Sequence, residues 1–242
     1  MKLKIMNFIA KASRLKISSL ILSVVFVAVF NCTANAAGEL DTNFNASAYG
    51  TTNGTINVVK KQPDGKILVG GFFSEANGVA APGIARLNID GSIDTSFNTQ
   101  NLFNALGVGA SVNAIAVQTD GKILVGGFLI SPGGILQSGL IRINSDGSID
   151  GAFNMFIVNG IIFDIEIQPD NKIVVGGGFT GPNATQNIVR LNSNGTVDAT
   201  FSSIAGITVK DLEIQTDGRV IIGGFITSEQ NFGIMRLTTG GS

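Results

Sequence analysis

The sequence predicts an all-β protein, a β-propeller of four four-stranded blades, from three observations. One segment recurs four times, each copy contains two hairpin-turn signals, and strand-like runs separate the turns. The first glycines of the four Gly-Gly pairs, Gly70, Gly126, Gly176 and Gly223, lie 56, 50 and 47 residues apart. A period near 50 residues is typical of a propeller blade.

The elements of the repeat are clearest in its second copy. Asp120-Gly121 and Asp146-Gly147 are two-residue turn signals, because glycine adopts positive φ without steric cost. Between and around them lie four predicted strands: A at 114–118, B at 122–128, C at 140–144 and D at 148–153. Four units follow this plan, near residues 54–98, 111–154, 160–201 and 206–242.

We expect residues 1–36 to be a signal peptide and residues 37–242 to be the repeat domain. Five Lys and Arg residues precede an apolar run at 17–30, and small residues precede Ala37. That run is shorter than the roughly 20 residues of a membrane span. The sequence therefore predicts a secreted or cell-surface protein with no membrane span after cleavage.

Residues 38–45 are expected to complete the last blade. They repeat the pattern of the strand D block at 91–98, with Asp41 at the position of Asp94. The fourth unit reaches Ser242 without a strand D of its own. An N-terminal strand in that place would close the ring and remove exposed sheet edges.

The repeat resembles the delta-60 repeat family of bacterial β-propeller proteins. The shared motif is a strand A–turn–strand B block ending in Gly-Gly-Phe, followed by Arg-Leu-Asn-x-Asp-Gly-Ser-Ile-Asp-x-x-Phe at 86–97. The resemblance covers nearly everything from Gly38 onward, and it implies a propeller in a secreted or surface protein but no reaction. Such proteins are often very long, so we expect a fragment or one partner of a larger ring.

Composition excludes several classes of function. The chain has no histidine, and its one cysteine, Cys32, lies in the predicted signal segment. Histidine-dependent triads and thiolate sites are therefore excluded, and we expect no enzyme and assign no catalytic residue. Removal of the signal segment leaves 11 basic and 17 acidic residues, a net charge near −6. Such a charge argues against nucleic acid and anionic lipid as partners.

Charged residues recur once per unit on strands C and D, and we interpret them as scaffold. A residue that recurs in every unit is expected to stabilise the structure that all the units share. They are Arg86, Arg142, Arg190 and Arg236 on strand C, and Asp41, Asp94, Asp150 and Asp198 on strand D. The spacing Asn88-x-Asp90-Gly91-x-x-Asp94 also resembles a calcium loop, but hairpin turns explain the same residues.

Strand A departs from the repetition. Two alternate positions hold valine and lysine in the first unit, two alanines in the second, and an aspartate with a glutamate in the third and fourth. Strand A normally lies innermost in a blade, so these charges are expected to gather near the axis. The candidate binding residues are Lys60, Asp164, Glu166, Asp211 and Glu213. They are expected either to recruit a cation such as calcium or to pair with Lys60, Lys210 and solvent.

The sequence therefore predicts a binding or structural interaction module, with an unidentified protein or glycan as partner. Specificity is expected in the variable loops between strands B and C, at 73–83, 128–138 and 180–186. The alternative is a hydrolase or lyase that uses the axial carboxylates as acid and base. No cofactor other than calcium is expected.

Overall fold

The computed structural model describes residue 44 and residues 54–99, 111–130, 136–202, 204–226 and 230–242. These residues form β-strands and one short 3₁₀ turn, Pro182–Ala184, so the all-β prediction is confirmed. No helix among them has the length and apolar character needed to cross a membrane. The strands are β1 (Thr55–Lys61), β2 (Ile67–Phe72), β3 (Glu75–Ala76), β4 (Val79–Ala80), β5 (Ile84–Leu87), β6 (Ser111–Val117), β7 (Ile123–Ile130), β8 (Leu136–Ile143), β9 (Phe156–Ile167), β10 (Ile173–Thr180), β11 (Gln186–Leu191), β12 (Ile207–Ile214), β13 (Val220–Ile226) and β14 (Asn231–Leu237).

Each repeat is an antiparallel sheet whose strands A, B and C follow in chain order. The blades are β1, β2 and β5; β6, β7 and β8; β9, β10 and β11; and β12, β13 and β14. Strand D was predicted at 148–153 and is shorter in the structure. A single backbone bridge, between Ile143 and Ile149, holds it to strand C. Beyond that bridge the Phe153 N–H donates back to the Asp150 carbonyl at 3.1 Å, so the chain turns away.

The predicted turns between strands A and B are confirmed. Gly121 has φ 81°, and its N–H donates to the Gln118 carbonyl at 3.0 Å. Asp120 Oδ1 accepts the Lys122 N–H at 3.1 Å. In the third blade Asn171 occupies the glycine position with φ 64°, which asparagine tolerates better than most residues.

Every strand A contains a β-bulge opposite the Gly-Gly pair of strand B. In the second blade Val112 pairs with Gly127 and Ala114 pairs with Gly126, which leaves Asn113 between them without a partner in the register. A bulge re-aims the side chain of its extra residue. The equivalent bulge residues are Asn57, Phe163 and Lys210.

The hydrophobic core lies between consecutive blades. A Cβ atom at Gly126 would lie 2.8 Å from Ile165 Cδ1 and 2.9 Å from Ile162 Cγ2 of the next blade, so any larger residue would force these side chains to shift. Gly70 and Gly176 meet their next blades in the same way. Three buried clusters of aliphatic and aromatic side chains fill the three interfaces between the four blades.

Two predicted N-terminal features lie outside the described residues. The signal segment, 1–36, is one of them. The expected closing strand, 38–45, is the other, apart from Phe44. Both therefore stay predictions.

Candidate functional site

A cluster of charged side chains, here called the Arg–Asp cluster, ties each blade to the next. In the second blade Arg142 Nε and Lys122 Nζ donate to the same oxygen, Asp150 Oδ2, at 2.7 and 2.9 Å. The Arg142 guanidinium carbon lies 4.7 Å from the Phe153 ring centroid. Arg142 Nη1 donates to the Ser193 carbonyl of the third blade at 2.6 Å. The arginine thus joins strand C, strand D and the neighbouring blade.

The first and third blades repeat this arrangement. Their members are Arg86, Asp94, Lys66, Phe97 and the Ser145 carbonyl, and Arg190, Asp198, Lys172, Phe201 and the Thr239 carbonyl. The fourth blade differs, since Arg236 is exposed and no Asp of the described residues bonds to it. Its expected partner, Asp41, lies outside the described residues.

Hydrogen bonds keep the Asp carboxylates of the Arg–Asp clusters ionised. The Lys122 ammonium has the largest influence on Asp150, and with the Ala152 N–H and Arg142 it lowers the pKa to about 2 against the effect of burial. For Asp94 and Asp198 burial is the largest single influence and would raise the pKa. The combined bonds from lysine, arginine and hydroxyl donors nevertheless lower the pKa of both groups. These carboxylates serve as acceptors within the scaffold.

A second group of charges, here called the axial cluster, lies on strands A. Lys60 Nζ of the first blade lies 3.7 Å from Glu166 Oε1 of the third blade. Strand A of the second blade carries Ala116 at the equivalent position, and this small side chain leaves room for the contact. The A strands therefore converge. The axial cluster consists of Lys60, Asp164, Glu166, Asp211 and Glu213.

Asp164 joins the third and fourth blades through their backbones. Its Oδ1 accepts the Ile165 N–H and its Oδ2 accepts the Leu212 N–H, both at 2.8 Å. Burial raises the pKa of Asp164 to about 6, although the two N–H donors oppose the shift, and the charges of Asp211 and Glu166 add to it. The Asp164 carboxyl therefore gains and loses its proton at a pH of about 6, close to neutral.

The other axial acids have looser surroundings. Burial raises the pKa of Glu166, with Lys60 opposing the shift and Glu213 adding to it. Asp211 and Glu213 are exposed. Within the described residues, neither accepts a hydrogen bond or forms an ion pair, so both present negative charge to solvent.

The bulge residues of strand A form contacts that sequence reasoning missed. Asn57 Nδ2 donates to Asn113 Oδ1 and to the Val112 carbonyl, each at 3.1 Å. Asn113 Nδ2 donates to the Ile162 carbonyl at 3.3 Å. No sequence signal marked these positions, since the bulge residue is asparagine in the first two blades, phenylalanine in the third and lysine in the fourth.

Lys210 corrects one expectation. It was one of the two lysines expected to pair with the axial acids if they recruit no cation, but its ammonium lies 3.5 Å from the centroid of the Phe163 ring of the preceding blade. The cause is the bulge, which turns Lys210 toward that blade and away from the direction of Asp211. The axial acids consequently keep only Lys60 as a paired cation in the part of the chain that the structure describes.

The segment whose spacing resembles a calcium loop forms a hairpin turn, the interpretation that its sequence favoured. Asp90 Oδ1 accepts the Ser92 N–H at 3.0 Å and its hydroxyl at 2.7 Å, while the Asp94 carboxylate bonds to Arg86 and Lys66. Among the described residues no group of three or more His, Cys, Asp or Glu side chains is placed to hold a metal ion.

The loops between strands B and C differ between blades, as predicted from their sequences. The loop at 73–83 contains the small hairpin β3–β4, which turns at Asn77 with φ 51°. The loop at 180–186 contains the 3₁₀ turn Pro182–Ala184. Residues 131–135 of the remaining loop lie outside the described residues.

Comparison with protein families gives one match. A family model described as a domain of unknown function (DUF5122) β-propeller matches residues 62–97, 118–153, 168–201 and 215–242. Each matched segment begins near the end of strand A, and the first three run through the D block. No curated protein matches the chain.

Three solved structures resemble the chain weakly. A protein of unknown function from Bacteroides caccae is 18% identical with a TM-score of 0.44, covering 77% of this chain and 64% of its own. PorZ, a surface component of the type-IX secretion system of Porphyromonas gingivalis, is 13% identical with a TM-score of 0.44, covering 78% and 26%. The extracellular domain of a one-component system of B. thetaiotaomicron is 14% identical with a TM-score of 0.32, covering 74% and 27%. The chain thus spans about a quarter of the length of two of these proteins and less than two thirds of the other.

Proposed function

We propose that this chain, which belongs to the DUF5122 β-propeller family, is an exported binding module that holds a positively charged partner on its axial cluster. The family is defined by its fold and carries no assigned activity. Function must therefore be argued from the charges and contacts of the site.

The observation that carries the proposal is the contrast between repeated and unrepeated acids. The blade fold does not need acids on strand A, since Val58 and Ala114 occupy the position of Asp164 in other blades. The exposed carboxylates of Asp211 and Glu213 lie beside two acids whose pKa values are raised. A surface patch of one sign attracts and concentrates groups of the opposite sign.

A protein segment rich in lysine or arginine fits these acids better than a neutral glycan. Such side chains carry a charge at the end of a long flexible stem and can reach between converging strands. An aromatic platform for a neutral sugar would have to come from phenylalanine, since the chain has no tryptophan and one tyrosine. A protein partner is therefore our first proposal.

Binding of a fluorescein-labelled hexalysine peptide, followed by fluorescence anisotropy, tests this proposal. We expect Glu213→Gln to weaken binding by about 1.4- to five-fold, since an exposed charge pair contributes about 0.2–1 kcal/mol. Added salt should weaken binding to the wild-type protein. Glu75→Gln, the same change at an exposed glutamate of β3, is the control and should bind like wild type. Equal losses in both variants would show that only overall charge matters.

Calcium, which prefers oxygen ligands, is a proposal that rests on the sequence alone, because no group of three acids among the described residues is placed to hold it. An ion that binds only the folded protein would raise its melting temperature. We expect any such rise to be lost in the double variant Asp164→Asn with Asp211→Asn. A rise of equal size in that variant would place the calcium elsewhere.

The alternative function, a hydrolase or lyase, draws its support from the raised pKa of Asp164 beside Asp211. Both oxygens of Asp164 already accept backbone N–H groups, which leaves the carboxylate poorly placed to move a proton to a substrate. We therefore propose no enzyme activity. Hydrolysis in a screen of glycans that is abolished by Asp164→Asn would reverse this choice.

Export and the delta-60 assignment are proposals that rest on sequence. The basic residues and apolar run before Ala37 support a signal peptide, and the motif at 86–97 supports delta-60 repeats. The mature N-terminus, determined by mass spectrometry of the exported protein, should be Ala37. A protein that retains residues 1–36 would contradict this.

A further inference from the structure

A row of alternating hydroxyl and aromatic side chains crosses the first and second blades. We call it the aromatic row, and each member is paired in the sheet register with the next: Thr55, Phe72, Ser111, Phe128 and Ser138. Residues that pair directly across antiparallel strands project their side chains from the same face of the sheet. The five side chains therefore share one face.

The two phenylalanines of the row are not part of the core. Phe72 is 53% and Phe128 44% exposed. The phenylalanines of the Arg–Asp clusters also recur from blade to blade, but Phe97 and Phe153 are each only 8% exposed. Packing inside the blades accounts for the buried rings and leaves the exposed pair without a structural role. Exposed apolar groups set among polar ones are typical of ligand-binding grooves.

The register fixes the spacing of the two rings. Phe72 and Phe128 lie on strands separated by one strand, β6, which carries Ser111 between them. Neighbouring strands are about 4.8 Å apart, so the two phenylalanines are roughly 10 Å apart. Every second sugar of an extended β-linked glycan chain recurs at a similar interval. One such chain can therefore contact both rings.

Polar side chains lie between the rings. Ser111 Oγ donates to Asn113 Oδ1 at 3.3 Å, and Asn57 Nδ2 lies 3.5 Å from Ser111 Oγ. Within the described residues no group donates a hydrogen bond to Asn57 Oδ1, so this amide oxygen can accept one from a ligand. A sugar presents C–H groups on its faces and hydroxyl groups at its edge. Rings flanking an amide and a hydroxyl suit both.

The third blade shows that the fold does not need these side chains. At the two paired positions it carries Gly178 and Ile161, so the ring and the hydroxyl are absent together. In the fourth blade the corresponding ring, Phe225, already contacts Phe232 edge to face at a centroid distance of 5.2 Å. Two neighbouring rings that flank a hydroxyl are thus a feature of the first two blades.

We propose that the aromatic row binds a neutral β-linked glycan chain. One sugar packs on Phe72 and another on Phe128, and hydroxyl groups of the chain bond to Ser111 and Asn57. The row has no charged member, so a neutral ligand suits it. An extended apolar peptide suits it less well, because apolar side chains would leave the hydroxyl and the amide without partners. This binding is independent of the axial cluster.

Isothermal titration of the full-length protein with cellohexaose tests the proposal. We expect saturable binding that Phe72→Ala and Phe128→Ala each weaken by about two- to twelve-fold, the loss expected for one aromatic contact. Phe232→Ala removes a ring that is 71% exposed but lies outside the row, so this control should bind like wild type. All three variants should melt within about 2 °C of wild type, because the rings are exposed.

Three results would overturn the proposal. The first is no binding of cellohexaose, and the second is an equal loss in Phe232→Ala. The third is binding of a labelled Ser-Leu-Ser-Leu-Ser peptide but not of cellohexaose, which would show that the row takes an extended peptide.

Salt separates this site from the proposed function. Binding of cellohexaose should be equal at low and high salt, whereas binding of hexalysine to the axial cluster should weaken. Cellohexaose binding that salt abolishes would contradict the aromatic row. Loss of hexalysine binding alone would contradict only the axial proposal.

Discussion

The carboxylates of the Arg–Asp clusters and those of the axial cluster have opposite surroundings. Asp150 receives hydrogen bonds from a lysine and an arginine, and its pKa falls to about 2. Asp164 receives only backbone N–H groups, lies near two other acids, and its pKa rises to about 6. Burial is the largest influence on the pKa of Asp164, whereas the lysine and arginine donors around Asp150 outweigh the effect of burial there.

This contrast separates scaffold from candidate function within a repeat protein. The Arg–Asp cluster occurs in three described blades with nearly the same distances, so it satisfies a need that every blade shares. The axial acids occur in two blades, and valine, alanine and lysine take their place elsewhere. Unrepeated charge that costs the protein an unfavourable pKa shift is evidence of a role outside the fold.

The largest effect is expected from breaking one Arg–Asp cluster. Arg142→Ala leaves the buried Asp150 with Lys122 and the Ala152 N–H as partners and removes the bond to the Ser193 carbonyl of the next blade. We expect the free energy of unfolding, measured with urea, to fall by about 2–4 kcal/mol. Arg219→Ala, which removes an exposed ion pair with Asp217, is the control and should cost about 0.5 kcal/mol or less. Similar small losses in both variants would remove the distinction between scaffold and surface charge.

Sequence reasoning identified the repeated Arg and Asp residues as scaffold because their spacing is constant where the structure repeats. Hairpin turns such as Asp120-Gly121 were also predictable, since they depend on two adjacent residues. The bulge was not, because a bulge shifts the alternation of faces by one residue and leaves no composition signal. That shift moved Lys210 from the predicted axial acids to the Phe163 ring. The short length of strand D was not predictable either, because a strand held by a single bridge and a full strand have the same sequence pattern.

Acid should destabilise the protein through the Arg–Asp clusters. The pKa of Asp150 is lowered in the folded state, so the unfolded chain binds the proton more readily. Its contribution to stability is present above about pH 4 and is lost as the pH falls toward about 2. The urea concentration at the midpoint of unfolding, measured at several pH values, should decrease as the pH falls through this window. Asp150→Asn should be less stable at pH 7 and should lose less stability on acidification.

The axial cluster should show the opposite dependence at higher pH. The pKa of Asp164 is raised to about 6 in the folded protein, so between about pH 4 and 6 the folded state holds a proton that the unfolded chain has released. Asp164 therefore makes stability increase as the pH falls from about 7 to about 4. Asp164→Asn should remove that increase, while Glu75→Gln should retain it. A pH profile unchanged by Asp164→Asn would contradict the raised pKa.

The smallest effect is expected at the one cation of the axial cluster. Lys60 holds the pKa of Glu166 below the value that burial and Glu213 would give it. Lys60→Gln should therefore raise the pKa of Glu166, measured by NMR titration of the side-chain carboxyl. It should change the free energy of unfolding by about 0.5 kcal/mol or less, since the pair is half exposed.

The Lys60→Gln variant also adds net negative charge at the axis, so it should bind hexalysine more tightly than wild type. Lys61→Gln, which changes the adjacent exposed lysine on β1, is the matched control. Equal tightening in both variants would mean that overall charge, and not the axial cluster, attracts the peptide.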